Sequence, residues 1–139
     1  LSMRKVGVYA PAVACVPVPK EPEPVRDEDY RRLVAALPCA ICGGSGASQA
    51  AHPNSGKGLA LKTCDLTCFP LCHDGANGHH RAWDEYRFGR DVQRDYERRY
   101  AAITHDDLRL IAQTDPNARR ILVRVGLITE IMQPMDAQA

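Results

Sequence analysis

Tyr30, Leu33, Val34 and Leu37 recur at helical spacing, with Arg31 and Arg32 on the opposite side, so residues 27–37 are expected to form a helix. Asp27 suits its N-cap, and Pro38 stops it just before Cys39. Upstream, Pro11, Pro17, Pro19, Pro22 and Pro24 forbid a helix and leave residues 1–25 as an extended arm. Residues 39–79 show no helical period. Gly43, Gly44, Gly46, Gly56 and Gly58 mark turns there, and short strands are predicted at 48–52 and 67–71. From His80 a helix is expected to about Tyr100, interrupted near Gly89, with Trp83, Tyr86, Val92, Tyr96 and Tyr100 as its apolar side. Thr104 and Asp107 resemble a capping box opening a shorter helix through Leu108 and Ile111. Asp115-Pro116 then supplies an N-cap and a first-turn proline for a helix ending at Val125, before Gly126. The tail after Gln133 is expected to fray, and no internal repeat is visible.

At 139 residues the chain suits one compact domain with extensions. Only 6% of residues are aromatic, and three of the five Tyr fall at 86–100, so any core in the first half is small and a structural metal would help it. The net charge of +1 neither demands nor excludes nucleic acid, which leaves the question to the distribution of charge. The apolar stretch that begins at Val6 is broken by Pro11, Pro17 and Pro19 and reads as no signal peptide, and no run approaches the ~18 apolar residues of a membrane span. With no secretory address, the six cysteines read better as metal ligands than as disulfides, and a reducing cytosol is the expected compartment. A disulfide-bonded secreted domain is the weaker alternative.

Cys39-x2-Cys42 followed by Gly43-Gly44 is a zinc knuckle, two thiolates reaching one ion from a tight turn. The second pair is open at this point. Cys72 and His79 are natural candidates, with residues 74–78 as a loop between them, while Cys64, Cys68 and Cys72, four residues apart, are a rival source. Any single cysteine, Cys15 above all, also reads as a small buried hydrophobe. His80 and Asp84 stand one helical turn apart and could grip a divalent cation, or be an ordinary exposed pair. His52 could take a proton from water, or be a structural histidine bonded to a loop carbonyl.

In order along the chain come Leu37-Pro38-Cys39-x2-Cys42-Gly43, Ala51-His52, Gly56-Lys57-Gly58-x3-Lys62-x2-Asp65, Pro70-Leu71-Cys72 and His79-His80-x3-Asp84. This set resembles the His-Asn-His (HNH) nuclease family, and most nearly the small phage and prophage nucleases of the recombination-enhancement type. The resemblance covers residues 26–86. It implies an α+β fold, a zinc-stabilised ββα-metal core preceded by the arm and first helix and followed by C-terminal helices. Residues 1–25 would then be the arm, 26–103 the nuclease domain and 104–139 a helical extension.

On that pattern His52 falls on the general base, and Asp65 lies near the asparagine that orients it, unless Asn54 does that work. His80 and Asp84 fall on the ligands of a catalytic Mg2+ or Mn2+, and Cys39, Cys42, Cys72 and His79 on the structural zinc. The implied activity is DNA endonuclease. A recombination or packaging protein is the kind of partner that would dock on the arm or the C-terminal helices. Three positions depart from the pattern. Asp84 replaces the last histidine, Asp65 replaces the asparagine, and Ala51 stands where many relatives carry another metal ligand.

Lys57, Lys62 and Arg81 lie near this site in sequence and could hold phosphates. Arg87, Arg90, Arg94 and Arg98 form a stripe that could track a DNA backbone, or a solvated face neutralised by Asp91, Asp95 and Glu97. No recognition module is visible, so weak sequence preference and strong salt dependence are expected. A zinc-stabilised DNA- or protein-binding module without turnover is the alternative reading, favoured by Ala51 and Asp65.

Overall fold

The computed structural model describes residues 23–54, 63–73 and 77–129. Cys15, Lys57, Lys62, most of the proline-rich arm and the tail after Gln133 lie outside them.

Helix α1 spans Glu28–Ala35, and Asp27 caps it as expected, its carboxylate accepting from Tyr30 N–H. Strands β1 (Ser48–Ala51) and β2 (Phe69–Cys72) pair antiparallel with Ser48 opposite Cys72 and Ala51 opposite Phe69. The expected strands are therefore present, the second displaced toward Cys72 by a short 3-10 turn at Asp65–Thr67. Helix α2 spans His79–Asp84 and α3 spans Arg90–Ile111. The expected interruption falls between them, where Tyr86 (φ 57) and Gly89 (φ 91) turn the chain. Helix α4 spans Pro116–Val125, with the Asp115 carboxylate accepting from Asn117 and Ala118 N–H and Gly126 closing it in the left-handed region (φ 88).

A two-stranded sheet is marginal by itself, so both of its faces must be covered. Alternation along β1 does this. Ala50 packs into a cluster of Tyr30, Val34, Cys68, Leu108, Ile121 and Leu122, which joins α1 to the C-terminal helices. Its neighbour Ala51 packs the other way, against Cys39, Phe69, Leu71 and Trp83, with Tyr100 at the edge. Phe69 sits edge-on to Trp83, ring centroids 5.5 Å apart. The result is a mixed helix-and-sheet fold whose small sheet is the partition between two cores. No helix among the described residues is long and apolar enough to cross a membrane.

Two expectations for the third helix fail. No helix opens at Thr104: its side chain is buried and its hydroxyl donates to Tyr100 O at 2.7 Å, a bond within a helix that continues to Ile111. The 103/104 boundary therefore falls inside α3. The expected apolar side is also wrong in its first half. Val92 and Tyr96 are 50% and 39% exposed, and Gln93 and Glu97 are buried in their place. Those two satisfy backbone at the end of α2 and after β1: Gln93 Nε2 donates to Trp83 O at 2.9 Å, and Glu97 accepts from Asn54 N–H at 2.5 Å.

Candidate functional site

One end of the sheet gathers four metal-type ligands. Cys39 and Cys42 flank a turn closed by Gly43 N–H donating to Cys39 O at 2.8 Å, with Gly43 at φ 73. Ala40 N–H donates to Pro70 O at 2.8 Å and pins this turn to β2, which ends in Cys72. Helix α2 begins at His79, whose Nδ1 lies 3.3 Å from Cys72 Sγ and 3.5 Å from Cys39 Sγ. The ligand atoms of Cys39, Cys42, Cys72 and His79 all lie within 4.8 Å of one another. Three thiols and an imidazole around one point are the donor set of a structural zinc site, and the cluster could hold such an ion. Burial pushes the Cys39 thiol up, but backbone N–H groups and His79 outweigh it and bring it to about 6. That lowers the proton cost of loading a metal.

The rival cysteines are elsewhere. Cys68 is fully buried among Tyr30, Leu108 and Leu122, and burial raises its thiol to about 12, so it is a core hydrophobe. Among the described residues, Cys39, Cys42, Cys72 and His79 are the one set of three or more such side chains converging closely enough to share an ion. His52, His80 and Asp84 do not form a second.

His52 follows β1, and its Nε2 lies 2.8 Å from Asp65 Oδ1. Asp65 is wholly buried, yet its carboxyl sits below the ordinary 3.8. Burial by itself would raise it, but the Asp27 N–H at 2.7 Å, His52 and the Arg31 guanidinium together outweigh that cost. An ionised carboxylate only accepts, so His52 in its neutral form carries its proton on Nε2 and presents Nδ1 as a lone pair. Asn54 turns its side chain elsewhere, Nδ2 donating to Trp83 O at 2.6 Å. Between the two candidates for orienting His52, Asp65 is the one bonded to it here.

His80 and Asp84 share a face of α2, Nε2 and Oδ2 3.6 Å apart. Gln49 Oε1 lies 2.8 Å from His80 Nδ1 and can accept a ring proton there. Gln49, His80 and Arg31 border one surface depression of about 450 Å³ between α1 and β1.

Among the described residues, the expected phosphate ligands Arg81, Arg87 and Arg90 are engaged locally, and Arg94 only loosely. Arg81 and Arg87 both pair with Glu85, at 3.2 and 2.5 Å, and Arg87 foremost holds that carboxyl below its usual range. Arg90 lies over the Tyr86 ring, 4.1 Å from its centroid, and Arg94 is 3.9 Å from Asp91. Arg31, Gln49 and Asp27 were not anticipated in the site. Arg31 read as a solvated helix position, and only its place one turn past an N-cap that also holds Asp65 gives it a role.

Comparison with known proteins finds no matching family model, no matching curated protein and no matching solved structure.

Proposed function

We propose that the protein is a metal-dependent DNA endonuclease of the HNH, ββα-metal kind, in which His52 is the general base. The observation that carries this reading is the buried Asp65 carboxylate on His52 Nε2, which fixes the ring and reserves Nδ1 for a proton. His52 Nδ1 takes a proton from water as the water oxygen bonds to phosphorus. The bond from phosphorus to the 3′-oxygen then breaks. Asp65 stabilises the imidazolium that forms, and Arg31 with the Asp27 N–H keeps Asp65 ionised.

His80 and Asp84 would hold Mg2+ or Mn2+, which when bound stabilises the charge on phosphorus and on the leaving 3′-oxygen. Their 3.6 Å separation exceeds a hydrogen bond and is near the ~3–3.5 Å between neighbouring ligands of one ion. Gln49 orients His80 from behind, as outer partners of metal-bound histidines do. Cys39, Cys42, Cys72 and His79 would hold zinc as scaffold, so that the adjacent histidines serve different ions.

Ala51 supports the second reading, a zinc-stabilised binding module without turnover. It is fully buried and offers no ligand atom, leaving the catalytic ion two protein ligands. A metal titration separates the two readings. With Mg2+ or Mn2+ the protein converts supercoiled plasmid to nicked circles, and H80A and D84A each shift the metal requirement upward at least tenfold. Plasmid left intact at every metal concentration would favour the binding module.

A further inference from the structure

A second cleft, of about 500 Å³, opens between α3 and the connection from β1 to β2. Its connection side is Pro53 and Thr67, the first next to His52 and the second two residues past Asp65. At about 3.8 Å per residue, the cleft opens within one or two residue steps of the proposed base. Its α3 side is Ala101 and Ala102 below Arg94 and Arg98. The two arginines are one helical turn apart, and both are exposed. Arg98 has no hydrogen-bond or ion-pair partner among the described residues, and the pair from Arg94 to Asp91 is stretched to 3.9 Å. The acid at this cleft, Glu97, is buried and directed at Asn54 N–H. His105 Nε2 donates to Leu66 O at 2.5 Å.

Resting on DNA as the substrate, we propose that this cleft takes an unpaired deoxynucleotide beside the scissile phosphate. Arg94 and Arg98 hold its phosphate, and Pro53, Ala101 and Ala102 cover the flat side of its base or sugar. A cleft of this volume has the size of a small-ligand site and cannot admit a duplex. Base faces are presented only where a strand is unstacked, and an apolar floor with arginines at the rim suits that state. The preferred substrate is then single-stranded, flapped or branched DNA rather than continuous duplex.

The test is fluorescence anisotropy with a labelled single-stranded oligothymidylate and a duplex of equal length, without added Mg2+ or Mn2+. The double variant R94A/R98A is expected to lose about tenfold in single-strand affinity. The exposed Ala102 offers a charge-neutral probe: A102W fills the cleft without entering the core. It is expected to lose about fivefold on single strand and less than twofold on duplex. R119A/R120A on α4 removes the same charge away from the cleft and is expected to change single-strand affinity less than twofold. Wild-type affinity in A102W, an equal loss on duplex, or an equal loss in R119A/R120A and R94A/R98A would each overturn the cleft. A protein that nicks plasmid but fails this test loses the cleft and keeps the nuclease. One that passes but never nicks keeps the cleft as a single-strand site and loses the nuclease.

Discussion

Asp65 couples the proposed base, His52, to the stability of the fold, because His52 and two donors from the start of α1 meet on its buried carboxylate. Its folded pKa lies below the ordinary 3.8, so the unfolded chain binds a proton first as pH falls. Its contribution is therefore complete above about pH 4 and is lost as pH drops below that toward the folded value. D65A is expected to lower unfolding free energy by about 2–3 kcal/mol at pH 7, and the difference from wild type should shrink in denaturant melts near pH 3. A constant difference across that range would detach the effect from Asp65 ionisation. The His52–Asp65 pairing was half legible in sequence. Motif order put Asp65 near the proposed base, but nothing in the spacing chose it over Asn54. Three-dimensional proximity chose it, through the 3-10 turn that brings Asp65 back to the α1 N-terminus.

At the scale of elements, the helices with local end signals were legible and the internal faces of α3 were not. Asp27, Asp115, Pro116 and Gly126 act within one turn of themselves, so the sequence pattern placed α1 and α4 closely. The burial of Gln93 and Glu97 comes instead from the Trp83 carbonyl at the end of α2 and the Asn54 N–H, which need partners, a tertiary demand with no periodic signature. Gly89, at φ 91 and ψ 139, lies where side chains are strained, and it lets α3 start in a new direction after α2. G89A is expected to cost about 1–3 kcal/mol in thermal or denaturant unfolding, with zinc content unchanged. The cysteines divide in the same way. C68A opens a small void in the core and should cost about 1–2 kcal/mol while keeping one zinc per chain. C39S should lose the zinc and the cooperative melt together, read by metal analysis and circular dichroism.

For the whole molecule, the cluster of Cys39, Cys42, Cys72 and His79 brings the Cys39 turn, the end of β2 and the start of α2 into one corner, and α2 carries His80 and Asp84 onward from it. The C-terminal helix reaches the other side of the site. Arg124 makes two 2.8 Å bonds to Asp27, foremost among the groups that lower its carboxyl, and the Asp27 N–H in turn holds Asp65. The candidate metal cluster and the His80–Asp84 pair thus share α2, while His52 and Asp65 are held at the N-terminus of α1. The claim that matters most is that His52 acts as a base. It is tested by plasmid nicking with Mg2+ or Mn2+, comparing wild type and H52A at equal zinc content and equal melting behaviour. Nicking by wild type and a loss of at least about 100-fold in H52A is the predicted result. Nicking by H52A at the wild-type rate would contradict it.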